Sequence, residues 1–218
     1  MWGRFGRPRR RSPRADLRPP TLSDVPRTQN ERSAETRRVV IAAARERFTD
    51  AGFSDTSVAA IAAAAKVSKG ALYHHFADKT EVLAAVYEAI EQEICEAVLA
   101  ATSDSSDPVE ALRAGCRVFL DACLADDVRR IVLEEAPAAL GWHRWRAIDL
   151  AYGFGLLRAG LAAVPGHDPT QLETRSHLLL VCLLEGALLM SSAADHRAVR
   201  DQVMATIEPM IGPGPTAG

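Results

Sequence analysis

Residues 56–79 read T-S-V-A-A-I-A-A-A-A-K-V-S-K-G-A-L-Y-H-H-F-A-D-K, and two short helical patterns sit in them on either side of a tight turn. Thr56 is an N-cap candidate for the first pattern, which points Val58, Ile61 and Ala62 inward. Ser68 caps the second, with Leu72 and Phe76 on its buried side. Two short helices, a three- or four-residue turn and a second N-cap are what a helix-turn-helix requires. In that arrangement the first helix braces across a nucleic-acid backbone, and the N-terminal residues of the second reach base edges in the major groove.

The residue types suit that task. Gly70 and Ala71 present almost no side chain, so the second helix can sink deep into a groove. Lys69 beside them can reach an acceptor such as guanine O6 or N7. Tyr73 and His74, one turn later, fall where phosphates flank the groove. Lys79 adds its charge to the free amides that begin the next helix, which favours an anionic oxygen. With Thr56, Ser57 and Ser68 at the two helix starts, these residues form the candidate DNA-binding set. His74 and His75 do not suggest a metal, because adjacent helical residues point about 100° apart. His74 is expected at the surface and His75 packed inward.

Working outward, a helical pattern begins at about Ser33 and carries Ile41, Ala44, Phe48 and Ala51 on one face, with Gly52 as its stop. Downstream, Asp78-x-x-Glu81 reads as a capping box for a longer helix with the stripe Leu83, Val86, Ile90, Ile94 and Val98. The run S-K-G-A-L-Y-H-H-F-x-x-K, preceded by I-A-x-x-A-x-V and by a helix ending F-x-x-x-G-F, resembles the DNA-binding domain of the TetR family of regulators over about residues 34–83. The resemblance implies that Ser68–Phe76 is the recognition helix and that Lys79 matches a phosphate-contacting lysine. It also implies a C-terminal helical domain that dimerises and opens a ligand cavity in its core. V-L-E-E-A-P-A-A-L-G-W-H-R-W is similar to a subset of such domains. One position departs: Lys66 stands where the family commonly has Gly. A non-Gly residue in the left-handed region there costs roughly 1 kcal/mol.

Beyond a polar break at Thr102 to Pro108, helices are expected at about 108–124, 127–140, 143–163, 169–194 and 197–210. Pro137 should kink or end the second of these, and Val164-Pro165-Gly166 closes the third. No alternating β-branched run occurs, so Gly153, Gly155 and Gly160 lack the strand that a dinucleotide loop needs. They read instead as points of close helix approach. The stretch His177 to Ala194, interrupted by Glu185, reads as a buried helix, shorter than the ~20 residues of a membrane span.

Charge is unevenly distributed. The net charge of −2 comprises +6 over residues 1–30, +2 over 31–79 and −10 over 80–218, so a polyanion would meet the N-terminal third and be repelled by the rest. Residues 1–30, rich in Arg and Pro, offer no apolar face and are expected to be a disordered arm. Proline and arginine follow the basic start where a signal peptide would have its apolar region. Cys95, Cys116, Cys123 and Cys182 form no C-x-x-C pair and read as small buried hydrophobes in a reducing cytosol.

The expected fold is therefore all-α: a three-helix helix-turn-helix domain over 31–79 and a C-terminal helical dimerisation and effector domain over 80–218. Trp142, Trp145, Tyr152 and His177, aromatic and polar groups among apolar ones, are candidates for the effector pocket. The self-association face is expected on Leu172 to Met190, with Gly186, Ala187 and Ser191 allowing close approach of a second copy. Glu134 and Glu135 read as surface carboxylates. There is no G-x-S-x-G, H-E-x-x-H or phosphate loop, and no catalytic residues, cofactor or metal are expected. The implied protein is a cytoplasmic, homodimeric regulator of double-stranded DNA that binds a pseudo-palindromic operator and is released by a small-molecule effector. A constitutive DNA-binding dimer without a ligand is the alternative.

Overall fold

A computed structural model describes residues 28–212, and every regular element among them is helical. The arm expected over 1–30 falls outside these residues except at its end, where the chain is already ordered. Thr28 is the N-cap of α1 (Gln29–Asp55), its hydroxyl accepting the Glu31 amide at 3.2 Å while the Glu31 carboxylate accepts the Thr28 amide at 2.6 Å. This reciprocal box starts α1 four residues before the apolar pattern does. The helix buries Val40, Ala43, Ala44 and Phe48, and Ala51 faces solvent. At Gly52 the chain bends through φ 86°, a left-handed conformation that glycine adopts without a Cβ penalty.

Helices α2 (Val58–Ala64) and α3 (Lys69–His75) close against α1 over Ile61, Ala62 and Leu72. Helix α4 (Lys79–Thr102) runs on from this head and buries Leu83, Val86, Ile90 and Ile94 of the expected stripe, with Val98 half-buried, along with Tyr87 and Glu91. Asp78 caps α4 through the Glu81 amide at 2.9 Å. Glu81 does not complete the box. Its carboxylate pairs instead with Arg144, at 2.7 and 2.9 Å.

Around α4 pack α5 (Pro108–Ala122), the short α6 (Asp126–Val128), a π-helical turn (Arg129–Glu135), α7 (Ala136–Leu140), α8 (Trp142–Ala163), α9 (Leu172–Ser191) and α10 (His196–Ile211). The π turn is the local answer to Pro137. Proline has no amide to donate and its ring crowds the carbonyl four residues back. The chain widens by one residue ahead of it, and Ala136 donates to Ile131 instead.

Helix α9 is, by length and composition, apolar enough to cross a membrane. It buries Leu179, Leu180, Leu183, Leu184, Ala187 and Met190 within the bundle and leaves Leu178, Val181 and Leu189 about half exposed. Gly186 is set against the body's own α10: a Cβ there would come 2.6 Å from Val203 Cγ1. Ala187 is wholly buried. Of the small residues expected to meet a second copy, Gly186 thus serves the α9–α10 contact.

Candidate nucleic-acid interface and effector cavity

The turn between α2 and α3 is fixed by backbone geometry. Lys66 has φ 56° and is the non-glycine residue with positive φ among the described residues. The amide of Val67 reaches back to Ala62 O at 3.0 Å and that of Lys66 to Ala63 O at 3.1 Å, the paired bonds of a Schellman stop. Two residues later Ser68 caps α3, its Oγ accepting the Ala71 amide at 3.1 Å. The left-handed conformation foreseen at Lys66 is present, and its side chain is exposed.

Ser68, Lys69 and Gly70 are exposed at the start of α3, with Ala71 half-buried behind them. A Cβ on Gly70 would meet only Ser68 Oγ, at 3.9 Å, so nothing inside the molecule requires glycine there. Tyr73 is 53% exposed on the same helix and His74 lies open beside it. His75 turns inward towards Phe76, and burial lowers its pKa. Beneath this face Leu72 and Phe76 are buried, with the Arg37 guanidinium 5.5 Å over the Phe76 ring.

Two expected contacts are placed differently. The N-cap of α2 is Ser57, whose Oγ accepts the Ala60 amide at 3.1 Å. Thr56 is 3% exposed and its hydroxyl donates to Arg47 O at 3.1 Å, so its side chain fastens the end of α1 rather than facing outward. Lys79 is the second. Its Nζ donates to Phe53 O at 2.6 Å, Thr56 O at 2.9 Å and Ser54 O at 3.4 Å, and lies 4.2 Å above the Phe53 ring. The ammonium thus gathers the carbonyls left free where α1 ends and ties them to the start of α4.

The head is also held from the body side. Arg130 Nη1 donates to Thr49 O at 2.7 Å and Asp50 O at 3.1 Å, and Glu135 accepts the Phe53 amide at 2.6 Å. Glu135 is therefore a structural acceptor, not a surface carboxylate. Arg45 of α1 adds bonds to Asp127 at 2.7 Å and to Glu93 at 2.7 and 2.8 Å.

A cavity of about 220 Å³ opens between α4, α5, α8 and α9, walled by residues including Ile94, Val98, Leu112, Phe119, Leu157 and Leu183. None of the four expected pocket residues lines it. Trp145 is buried and its indole nitrogen donates to Val132 O at 3.0 Å, a core position. Trp142 is 63% exposed and leans on Trp145 at a 40° tilt, with centroids 5.1 Å apart. His177 packs on Phe154 at 4.3 Å, and Tyr152 is half-buried elsewhere on α8. The polar residue overlooked in sequence is Glu91, 2% exposed and lining the cavity. Its spacing, four residues after Tyr87 and three before Ile94 on an apolar face, was the available signal. Of the close glycines, Gly160 fits its expected part: a Cβ would stand 2.9 Å from Leu112 Cδ1. Gly155 has open space around it.

A helix-turn-helix head whose third helix presents bare backbone and a lysine, joined to a helical body with an internal cavity, defines a class of regulator. The family of bacterial regulatory proteins of the tetR type matches residues 40–86, and the tetracyclin repressor-like C-terminal domain matches residues 109–213. A solved TetR-family transcriptional regulator from Pectobacterium atrosepticum is 34% identical, with 84% of this chain and 94% of that chain covered and a TM-score of 0.63. The protein belongs to the TetR family of transcriptional regulators. The Transposon Tn10 TetC protein of Escherichia coli is 28% identical over 60% of this chain and 66% of its own length. The chain spans about half to two thirds of the length of the curated relatives it matches. RolR, solved with the ligand resorcinol, shares the fold at a TM-score of 0.66 and 17% identity, covering 85% of this chain and 92% of that one.

Proposed function

We propose that the chain is a homodimeric repressor that binds a pseudo-palindromic operator through α3 and releases it when a small molecule enters the cavity beside α4. The observation that carries this reading is the exposed Ser68-Lys69-Gly70-Ala71 edge, flanked by Tyr73 and His74. Residues 31–79 act as the reading head and 80–218 as the body, in the cytoplasm. Small side chains bring the α3 backbone close to bases, and Lys69 supplies the donor. Self-association uses Leu178, Val181 and Leu189, an apolar stripe on α9.

The cavity supports ligand control over the constitutive alternative. Its volume exceeds the roughly 150 Å³ that holds benzene in an engineered core, and the fold accommodates a small phenol in RolR. Helix α4 forms one wall and also carries the head, while the π turn grips α1. A ligand that fits one arrangement of these helices better than another shifts the balance by its difference in affinity.

Binding isotherms on the operator and on point-mutated operators at several salt concentrations test the reading. Lys69→Ala should cost about 1–3 kcal/mol and relax discrimination at one base pair of each half-site. Lys79→Ala should weaken binding to all sequences alike. A fall in salt slope of about two per dimer would mean that its ammonium leaves the carbonyls for a phosphate. If neither substitution alters affinity, α3 is not the DNA-binding face.

A further inference from the structure

Glu91 is the carboxyl group on the cavity wall, and its situation is chemically incomplete. It is 2% exposed and makes no hydrogen bond or ion pair with any described residue. The other polar wall groups differ in this respect: the Thr102 hydroxyl donates to Val98 O at 2.9 Å, and Cys95 and Cys116 are thiols. Buried polar groups in folded proteins nearly always have partners, so an acceptor left open towards a void marks a place for a donor.

The surroundings specify the charge of that donor. On α4, Tyr87 and Cys95 lie within electrostatic reach of Glu91; at the end of α5, Cys123 does; on α8, Asp149 and Tyr152 do. Asp149, 1% exposed, pairs with Arg146, so that guanidinium is spent on the other carboxyl. The Tyr87 hydroxyl and Asp149 Oδ1 are buried without hydrogen-bond partners. With Arg146 engaged by Asp149, Glu91 has no cation of its own among the described residues and keeps its proton while the cavity is empty. A neutral ligand would meet an uncharged carboxyl, whereas an ammonium would let the carboxylate form and take the place of that proton.

We propose that the cavity takes a compact lipophilic amine, with its apolar part between Val98, Leu112, Phe119 and Leu183 and its ammonium against Glu91. The inference rests on the reading of the cavity as the effector site, and it names the effector's chemical class. The volume limits the apolar part to about a single ring with a short chain. Burial and the Asp149 charge push the Glu91 carboxyl up to about 8, so at neutral pH the empty site holds a proton. A protonated amine displaces it: Glu91 gives up the proton to solvent and the carboxylate pairs with the ammonium.

The test uses the full chain with phenylpropylamine, phenylpropanol and phenylpropionate as probes, by titration calorimetry and thermal shift. The amine should bind at least about tenfold more tightly than the alcohol, the scale of a charge-assisted hydrogen bond in a desolvated site. The propionate should not bind. Binding of the amine should release a proton at neutral pH, read from calorimetry in buffers of different ionisation enthalpy. Glu91→Gln should erase both the preference and the proton release, and Glu91→Leu should do the same, so that neither result depends on one variant folding well. Equal or tighter binding of the alcohol, a preference that survives in Glu91→Gln, or no binding of the amine at millimolar concentration would each overturn the proposal. If the amine binds through Glu91 and leaves operator affinity unchanged, the ligand class stands and ligand-released repression falls. If another compound releases DNA with no preference for an amine, the reverse holds.

Discussion

Glu135 accepts the backbone N–H of Phe53 at 2.6 Å although 82 residues separate the two. Its other oxygen meets Arg130 Nε at 3.4 Å, and Arg130 in turn holds the carbonyls of Thr49 and Asp50. The π turn therefore grips the end of α1 on both sides of the Gly52 bend. Glu135→Ala leaves the partly buried Phe53 amide unpaired, and a loss of about 1–3 kcal/mol is expected in urea unfolding. Glu135→Gln keeps an acceptor and should recover most of it. Equal losses in the two variants would mean that charge, not the hydrogen bond, holds the junction.

At Lys66 the strain of a left-handed side chain outweighs what glycine would lose in unfolded-chain freedom. Lys66→Gly should therefore stabilise the protein by about 0.5–1 kcal/mol. The change should appear as a higher denaturant midpoint with an unchanged slope. Lys66→Ala keeps the strain and should gain nothing.

The α9 stripe gives a direct test of assembly. Val181→Glu together with Leu189→Glu places charge on an exposed apolar face and leaves the core untouched. Monomers are expected in sedimentation, with operator binding lost at the same time and the thermal transition kept. Gly186→Arg is a different experiment: its side chain would drive into Val203 and part α9 from α10. A dimer that survives the double substitution would place the interface elsewhere.

Stability should depend on pH with a definite sign. Glu91 is raised from 4.5 to about 8 and Asp149 from 3.8 to about 6, in both cases chiefly by burial. Both carboxyls hold their protons more tightly folded than unfolded. Their contribution is thus fully present below the ordinary carboxylate range and is lost as pH rises through 6 and then 8. Chemical denaturation across that interval should show a falling midpoint, and Glu91→Gln should flatten the upper part of the fall. A profile identical to that of the unsubstituted protein would mean that Glu91 titrates normally.

What could be read from sequence was whatever the backbone decides locally. The caps at Ser68 and Asp78, the bend at Gly52 and the disturbance before Pro137 follow from residue type and position, whereas the positive φ of Lys66 was anticipated only through the resemblance to a family with glycine there. Thr56 and Ser57 are both good caps in adjacent places, and the choice between them rests on Arg47 O, which belongs to another helix. The cavity was harder. Aromatic residues draw attention in a sequence, but the Trp145 indole answers to Val132 O in a different element, and so became core. Glu91 looked like any charged position on α4 until α5, α8 and α9 closed over it. Gly186 and Ala187 announced a close approach without saying whether the neighbour would be α10 or a second copy.

The tethering of Lys79 has one more use. The chain contains three lysines, all between residues 66 and 79. Acylation of lysine side chains is thereby confined to the helix-turn-helix without any engineered label. Lys66 and Lys69 are open to reagent, whereas the Lys79 amine is held by three carbonyls. The ratio of modified Lys69 to modified Lys79, read by mass spectrometry, separates two events that affinity measurements merge. Shielding of the first reports occupancy of the α3 face, and exposure of the second reports that the junction between α1 and α4 has come apart.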